Sequence, residues 1–138
     1  LSFTYSGHPV AAAVARETLQ IYEDEDILGH VRAMEPHFMG GLGELLDHPL
    51  VGEVRGMGLV AGVELVKDKS TGEAFDPGDG VGPFCNQRAE DHGLIIRAIG
   101  DTMSFCPPLI ISKDEIKEMI MRFRLALDDT LAMVQERV

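Results

Sequence analysis

One stretch of the sequence decides the fold: Leu94-Ile95-Ile96-Arg97-Ala98-Ile99-Gly100-Asp101-Thr102-Met103-Ser104-Phe105-Cys106-Pro107-Pro108. Apolar, β-prone residues dominate 94–99 and 103–106, and the Gly100-Asp101 pair between them is typical of a tight turn. Pro107-Pro108 then ends strand pairing, because proline has no backbone N–H to donate. The stretch therefore predicts two antiparallel strands joined by a turn.

A second pair of short strands precedes this hairpin, and four helices accompany the two pairs. The first pair is predicted over Val51–Arg55 and Leu59–Val66, with glycines at 56 and 58 marking the turn between them. Apolar residues at helical spacing predict helices over 9 to about 24, from about 26 to 45, over 83–92, and from 113 to the C-terminus. This order of elements predicts an α+β fold, in which helices pack on one face of a small, mostly antiparallel sheet.

Local signals mark an interruption of one helix and the beginning of another. Pro36 lies inside the second helical pattern, and its missing N–H predicts a kink or a division into two helices. Ser112 followed by Glu115 is a capping box, which predicts that the last helix begins there. A polar, turn-rich run over 67–80 predicts a surface loop.

Length, charge and cysteine content limit the classes of protein to consider. The chain has 138 residues, 45% of them apolar, and a formal net charge of −11. These values predict one folded domain, and the acidic balance argues against nucleic acid and anionic membrane surfaces as partners. No apolar run is as long as a bilayer span, and the five histidines show no zinc-ligand spacing. Cys85 and Cys106 lie outside any CxxC motif, so we expect reduced, buried thiols in a cytoplasmic protein.

The first ten residues carry the first candidate for a functional site. Thr4, Tyr5, Ser6 and Gly7 form a hydroxyl-rich turn, and His8-Pro9 then leads into an alanine-rich helix. Free N–H groups at a helix start, with hydroxyls beside them, suit an anion such as phosphate. From spacing alone, an ordinary capped helix is the first interpretation, and an anion site is the alternative that the residues leave open.

Arg97 is the second candidate, because it lies in a predicted strand that is otherwise apolar on both faces. A buried guanidinium there needs an anion, and the neighbouring same-face positions 95 and 99 are not acidic. The partner would then be a distant acid or a ligand, and guanidinium geometry suits bidentate binding of a carboxylate. An arginine on an edge strand with its charged end in water is the alternative.

Two motifs resemble the class III aminotransferases, which depend on pyridoxal phosphate (PLP), and among them the omega-amino acid:pyruvate transaminases. The first motif is Phe3-Thr4-Tyr5-Ser6-Gly7-His8-Pro9, and the second runs from Ile96 to Pro108 and contains Arg97. The similarity extends over nearly the whole chain. It implies the fold of the C-terminal small domain of fold-type-I PLP-dependent transferases.

The resemblance also implies roles for single residues. In the family, the threonine at the position of Thr4 reaches across a dimer interface to the cofactor phosphate of the partner subunit, with the backbone of Phe3 close by. The arginine at the position of Arg97 binds the substrate carboxylate and can swing away for uncharged groups. The resemblance therefore implies a homodimer, a cofactor-phosphate turn and junction helix over 1–25, and the small domain over 26–138. The implied reaction transfers an amino group from an amine or omega-amino acid to a keto acid such as pyruvate.

The same resemblance implies that the catalytic machinery is incomplete in this chain. The family's Schiff-base lysine belongs to a large PLP-binding domain upstream, and a start without methionine agrees with a truncated sequence. The lysines present are not in the apolar surroundings that activate an amine: Lys67, Lys69, Lys113 and Lys117. We therefore expect no catalytic residue here, no PLP held by this chain alone, and an inactive isolated chain. The alternatives are an aminomutase or decarboxylating transaminase of the same class, and a non-catalytic association module.

Overall fold

The elements follow one another in the predicted order. The computed structural model describes residues 7–136. Its elements are α1 (Pro9–Asp24), α2 (Ile27–Glu44), β1 (Val51–Met57), β2 (Val60–Leu65), α3 (Val81–Asp91), β3 (Arg97–Ile99), β4 (Thr102–Phe105) and α4 (Lys113–Glu136). Short 3₁₀ turns lie at Leu45–Asp47 and at Pro77–Asp79, the second of them inside the predicted surface loop.

The four strands form one antiparallel sheet in the order β1-β2-β4-β3. Strands β1 and β2 form one hairpin and β3 and β4 form the other, with two-residue turns at 58–59 and 100–101. Gly58 and Gly100 have φ of +58° and +59°, a left-handed conformation that glycine adopts without strain. Strands β2 and β4 pair at the centre and join the two hairpins. The predicted α+β fold is confirmed.

Burial alternates along the central strands and gives the sheet a covered inner face and an uncovered outer face. The inner face carries apolar side chains that are at most 4% exposed: Ala61, Val63, Leu65, Met103 and Phe105. Helix α4 packs here, where the rings of Phe105 and Phe123 meet edge to face with centroids 4.9 Å apart. Helices α2 and α3 contact α4 and the outer strands of the same layer. The helices thus cover one face of the sheet, as predicted.

Helix α2 continues through Pro36, so the predicted division into two helices is wrong. Pro36 and Arg32 are both exposed, and water can therefore satisfy the Arg32 carbonyl that loses its hydrogen bond to Pro36. Phe38 and Leu42 are fully buried on the other side, and their packing holds the helix against the core. Gly41 supports the same contact, because a Cβ there would lie 2.3 Å from Cδ1 of an α4 isoleucine.

Strand β3 is shorter than predicted, since residues 94–96 lie outside it. Arg97 pairs with Ser104, so residues 94–96 would have to pair with 105–107. Pro107 has no N–H, and the ladder therefore cannot continue in that direction. The Leu94 N–H instead donates to the Ala89 carbonyl at the end of α3, over 2.8 Å.

Helix α3 begins at Val81, two residues before the predicted start at Pro83. Gly80 precedes it with φ of 63°, and the Gly80 carbonyl accepts a hydrogen bond from the Phe84 N–H over 3.0 Å. Pro83 occupies the third helical position, where a backbone N–H has no partner within the helix. The missing proline N–H is therefore tolerated at this position.

Helix α1 has the predicted bounds but contains no buried residue. It contacts α2, the next helix in the chain. Its Val10, Val14 and Leu19 side chains are 65%, 60% and 63% exposed. The apolar side of α1 therefore has no partner among the described residues.

Candidate functional site

Arg97 lies on the outer face of the sheet, on its edge strand β3. Ser104 pairs with Arg97, Gly62 pairs with Ser104, and Arg55 pairs with Gly62, so these four residues form one row across the sheet. The row has an arginine at each end and small residues between them. Arg97 is exposed. In this chain its position therefore matches the alternative of an edge-strand arginine whose charged end is in solvent.

The two arginines of this row differ in their ion pairs. Arg55 Nη1 lies 2.7 Å from carboxylate oxygens of both Glu53 and Glu64. The hydrogen bond to Glu64 and the charge of Glu53 raise the pKa of Arg55. Within residues 7–136, Arg97 has neither an ion pair nor a hydrogen bond from its guanidinium. Its donors are therefore available to an anionic ligand.

An open cleft of about 600 Å³ adjoins Arg97. Pro107, Pro108 and Met119 contribute apolar walls, and Ser104 adds a hydroxyl group. Arg97 is the single charged side chain that lines the cleft in the described part of the chain. An apolar cleft with one cation at its edge suits a molecule that joins a hydrocarbon portion to a carboxylate.

Asp101 connects the hairpin that carries Arg97 to the neighbouring elements. One Asp101 carboxylate oxygen accepts a hydrogen bond from the Gly82 N–H over 2.8 Å. The Asp101 carbonyl accepts another from the Leu65 N–H at the end of β2, over 2.9 Å. The sequence predicted Asp101 as a turn residue and gave no sign of these contacts.

Thr4 and Phe3, the predicted cofactor-binding residues, lie outside the described residues. Just after them, Gly7 has φ of +76° and Pro9 occupies the first position of α1. His8 is the N-cap residue, and its Nδ1 accepts a hydrogen bond from the Ala11 N–H over 3.3 Å. The predicted helix start at Pro9 is confirmed, whereas the capping role of His8 was not foreseen.

The four lysines are all exposed. Lys67 Nζ lies 2.7 Å from Glu73, and this hydrogen bond and charge raise the pKa of Lys67. Lys69 donates to the Leu46 and His48 carbonyls. A lysine that attacks a carbonyl needs a lowered pKa and an apolar environment. Exposure and ion pairing do not provide that environment.

The two cysteines are unpaired thiols in opposite environments. The prediction that both are buried is correct for Cys85 and wrong for Cys106. Cys85 is fully buried under α4, and burial raises the pKa of its thiol to about 11. Cys106 is exposed where the chain leaves β4. Side chains alternate between the two faces of a strand, so the residue that follows the buried Phe105 faces the uncovered side of the sheet, which explains the exposure of Cys106.

Two further features of the described residues bear on function. No group of three or more His, Cys, Asp or Glu side chains within 7–136 is arranged to hold a metal ion. None of the helices in that range has the length and apolar character needed to cross a bilayer.

Comparison with known proteins identifies relatives over almost the whole chain. The family model "Aminotransferase class-III" matches residues 1–127. The putrescine–pyruvate aminotransferase of Pseudomonas aeruginosa is 51% identical over 133 residues, 96% of this chain and 29% of that protein. The chloroplastic gamma aminobutyrate transaminase 3 of Solanum lycopersicum is 44% identical over 134 residues, 97% of this chain and 26% of that protein.

Solved structures agree in fold as well as in sequence. The omega transaminase of Pseudomonas jessenii in complex with PMP superimposes with a TM-score of 0.91 and 46% identity, covering 98% of this chain and 30% of that one. The (S)-enantioselective omega-transaminase of Thermomicrobium roseum gives a TM-score of 0.90 and 40% identity, covering 95% and 29%. This chain thus spans between a quarter and a third of the length of these relatives. On the family match and the shared fold, the chain belongs to the class III aminotransferases.

Proposed function

We propose that this chain is the C-terminal part of a PLP-dependent aminotransferase of the omega-transaminase type. The reaction moves an amino group from an amine or omega-amino acid to a keto acid such as pyruvate. Membership of the class III family and similarity to a putrescine–pyruvate aminotransferase support this reaction class. In this proposal residues 1–25 form the cofactor-phosphate turn and junction helix, residues 26–138 form the small domain, and a large domain elsewhere in the longer protein holds the cofactor.

Arg97 binds the substrate carboxylate, and its unpaired guanidinium beside an apolar cleft is the observation that carries the proposal. Arg55, in the same row of the sheet, is neutralised by two glutamates, whereas Arg97 has no such partner among the described residues. Two parallel N–H···O bonds to a carboxylate would orient the acid end of the substrate. The apolar walls then receive the hydrocarbon portion. The exposed position on an edge strand also lets Arg97 move aside for an uncharged substituent.

The described residues fit a phosphate-bearing cofactor at one point, the beginning of α1. Residues 7–12, at the beginning of this helix, are exposed, and the segment that contains Phe3 and Thr4 directly precedes them in the sequence. We assign to Thr4, with the Phe3 backbone, the binding of the cofactor phosphate of a partner subunit. When bound, PLP supplies the electron sink on which amino-group transfer depends. This chain's own contributions are to bind the cofactor phosphate of a partner subunit through Thr4 and a substrate carboxylate through Arg97.

The isolated chain is inactive in this proposal. No lysine has the apolar environment that amine activation requires, and the pKa of Lys67 is shifted upward. The intact protein is a homodimer, because the Thr4 segment completes the site of the other subunit. Two unpaired thiols support a cytoplasmic location.

The test compares substrates with and without a carboxylate in the intact protein that carries this chain. Arg97→Ala should lower kcat/KM for pyruvate and for an omega-amino acid by about tenfold to a hundredfold, because two charge-assisted hydrogen bonds are lost. The kcat/KM for a monoamine without a carboxylate should stay within about twofold. Arg32→Gln removes one exposed positive charge from α2 and serves as the matched control, with no selective effect expected.

Two results would contradict the proposal. Equal losses for acids and for the monoamine would show that Arg97 does not recognise the carboxylate. Absence of amino-group transfer from any amine to pyruvate, with products identified by mass spectrometry, would favour an aminomutase, a decarboxylating transaminase or a non-catalytic module.

A further inference from the structure

Besides the pairing of β4 with β2, the β3–β4 hairpin is tied to its neighbours by two hydrogen bonds at its tip. Strand β3 has three residues and pairs with β4 alone, so no further strand pairs with its outer edge among the described residues. At the tip, Asp101 accepts one hydrogen bond from the Gly82 N–H of α3 and another from the Leu65 N–H of β2. These two contacts join the tip to elements on both sides of it.

The carboxylate contact replaces a cap that α3 lacks. The N-cap residue Gly80 has no side chain, and the first turn of α3 contains no acidic residue. A helix start leaves backbone N–H groups without partners and favours a nearby negative charge. Asp101 supplies both an acceptor and a charge from a different element, 19 residues away in sequence.

The backbone of the tip also fits closely against α3. A Cβ built on Gly82 would lie 2.0 Å from the Gly100 carbonyl oxygen and 2.9 Å from the Asp101 Cα. Any side chain at position 82 would therefore displace the tip. Helix α3 is itself fixed, because its Val81, Cys85 and Ala89 are buried in the core.

We propose that Asp101 is a positioning residue for Arg97: it docks the hairpin tip on the beginning of α3 and thereby sets where the edge strand presents the guanidinium. The inference rests on the proposed function of Arg97. Arg97 lies four residues before Asp101 on a strand that has one neighbour, so a shift of the tip moves the guanidinium relative to the cleft. Bidentate binding of a carboxylate tolerates such shifts poorly, whereas a substrate without a carboxylate is indifferent to them.

The experiment measures kcat/KM in the intact enzyme for pyruvate and for a monoamine without a carboxylate. Asp101→Ala should lower kcat/KM for pyruvate about tenfold, by raising KM more than it lowers kcat, and should leave the monoamine within about twofold. Asp101→Asn keeps an acceptor oxygen for the Gly82 N–H and should recover most of the lost efficiency. Gly82→Ala disrupts the same contact from the side of α3 and should cause the same selective loss of kcat/KM for pyruvate. This variant keeps the test available if Asp101→Ala does not fold.

A matched control separates this role from helix capping in general. Asp76 also accepts a hydrogen bond from a backbone N–H, that of Gly78, over 2.7 Å in the surface loop, but has no connection to β3. Asp76→Ala should have no selective effect. A second readout, independent of activity, is amide hydrogen exchange over residues 94–106, which Asp101→Ala should accelerate and Asp76→Ala should not.

The double variant Asp101→Ala/Arg97→Ala tests whether Asp101 positions Arg97 or has only a structural role. If Asp101 acts through Arg97, Asp101→Ala should have no further selective effect in the Arg97→Ala background. Losses that persist there, or that affect pyruvate and the monoamine equally, would overturn the inference while leaving the role of Arg97 intact. If Arg97→Ala alone lowers kcat/KM for pyruvate no more than for the monoamine, the proposed function fails, and the inference fails with it.

Discussion

Among single residues, the two thiols show most directly how burial controls reactivity. Burial raises the pKa of Cys85 to about 11, so at pH 8 only about one part in a thousand is thiolate. Cys106 is exposed. We expect iodoacetamide at pH 8 to modify one thiol per native chain, located at Cys106 by peptide mass spectrometry. The second thiol should react only after unfolding.

The single-cysteine variants provide the controls for this prediction. Cys106→Ser should abolish labelling of the native chain, and Cys85→Ser should leave it at one equivalent. Rapid native labelling of Cys85 would show that α3 and α4 separate readily at their buried contact.

His48 is a buried titratable group that directly follows the 3₁₀ turn Leu45–Asp47 and precedes β1. It is 4% exposed, its Nδ1 accepts from the Leu50 N–H over 3.2 Å, and its Nε2 lies 3.4 Å from Asp128 without hydrogen-bond geometry. Burial lowers the pKa of His48, and the charge of Asp128 opposes this only in part. Below the unfolded value of 6.5 the unfolded chain therefore binds more protons, and stability should fall as pH falls.

A non-titrating variant isolates this contribution from the many carboxylates. His48→Asn retains an acceptor for the Leu50 N–H but does not titrate. Denaturant unfolding at pH 7.5 and 5.5 should show a larger loss of unfolding free energy for the native chain than for His48→Asn. Asp128→Asn should steepen the loss, because it removes the charge that raises the pKa of His48. Parallel pH dependences in all three proteins would contradict the assignment.

Among the elements, α4 begins at a complete capping box. Ser112 Oγ accepts from the Glu115 N–H over 3.3 Å, and the Glu115 carboxylate accepts from the Ser112 N–H over 2.8 Å. This second bond, with that from the Ser112 hydroxyl, lowers the pKa of Glu115. Ser112→Ala should reduce the unfolding free energy by about 1 kcal/mol and Tm by about 3 °C. Ser112→Thr retains the cap and should remain close to the native Tm in calorimetry. Equal melting of both variants would exclude a stabilising cap.

Two of the features that the sequence missed, in α2 and in α3, share a physical cause. Capping at Ser112 and the turn at Gly100 depend on residues within four positions, and both were predicted. Continuity of α2 through Pro36 depends on the burial of Phe38 and Leu42 against other elements. The early start of α3 depends on an acceptor from Asp101 on another element. Contacts between elements distant in sequence leave no local pattern, so these features could not be predicted.

At the scale of the whole molecule, some features of the fold and of the candidate site follow from local sequence, and others depend on contacts between distant elements. Helical spacing of apolar residues, β-prone runs, turn residues and the order of the elements were enough to predict the α+β fold and its single covered face. Arg97 could be selected because a charge interrupts an apolar strand. The sequence did not show that Arg97 would have no ion-pair partner within residues 7–136, whereas Arg55 has two. The cleft beside Arg97 requires β3, β4 and α4 to come together, and no short motif encodes that arrangement.

Helix α1 provides a prediction that concerns the whole molecule. None of its residues is buried, and its apolar side chains are exposed. Helical hydrogen bonds without tertiary packing are marginal in water at this length. In the 138-residue chain, amide hydrogen exchange should therefore be much faster in α1 than in α4, although the helical hydrogen-bond pattern is the same.

The exchange rates of α1 in the 138-residue chain should be compared with those in the intact protein. If α1 is the junction helix of a longer aminotransferase, its apolar side is packed there, and its amides should become about a hundredfold or more slower to exchange. Protection of α4 should change little, because α4 is already packed on the sheet and on α3. Slow exchange of α1 in the isolated chain would show that this helix needs no further partner. Fast exchange in both forms would place α1 outside any packed interface and would remove the structural basis for residues 1–25 as a junction.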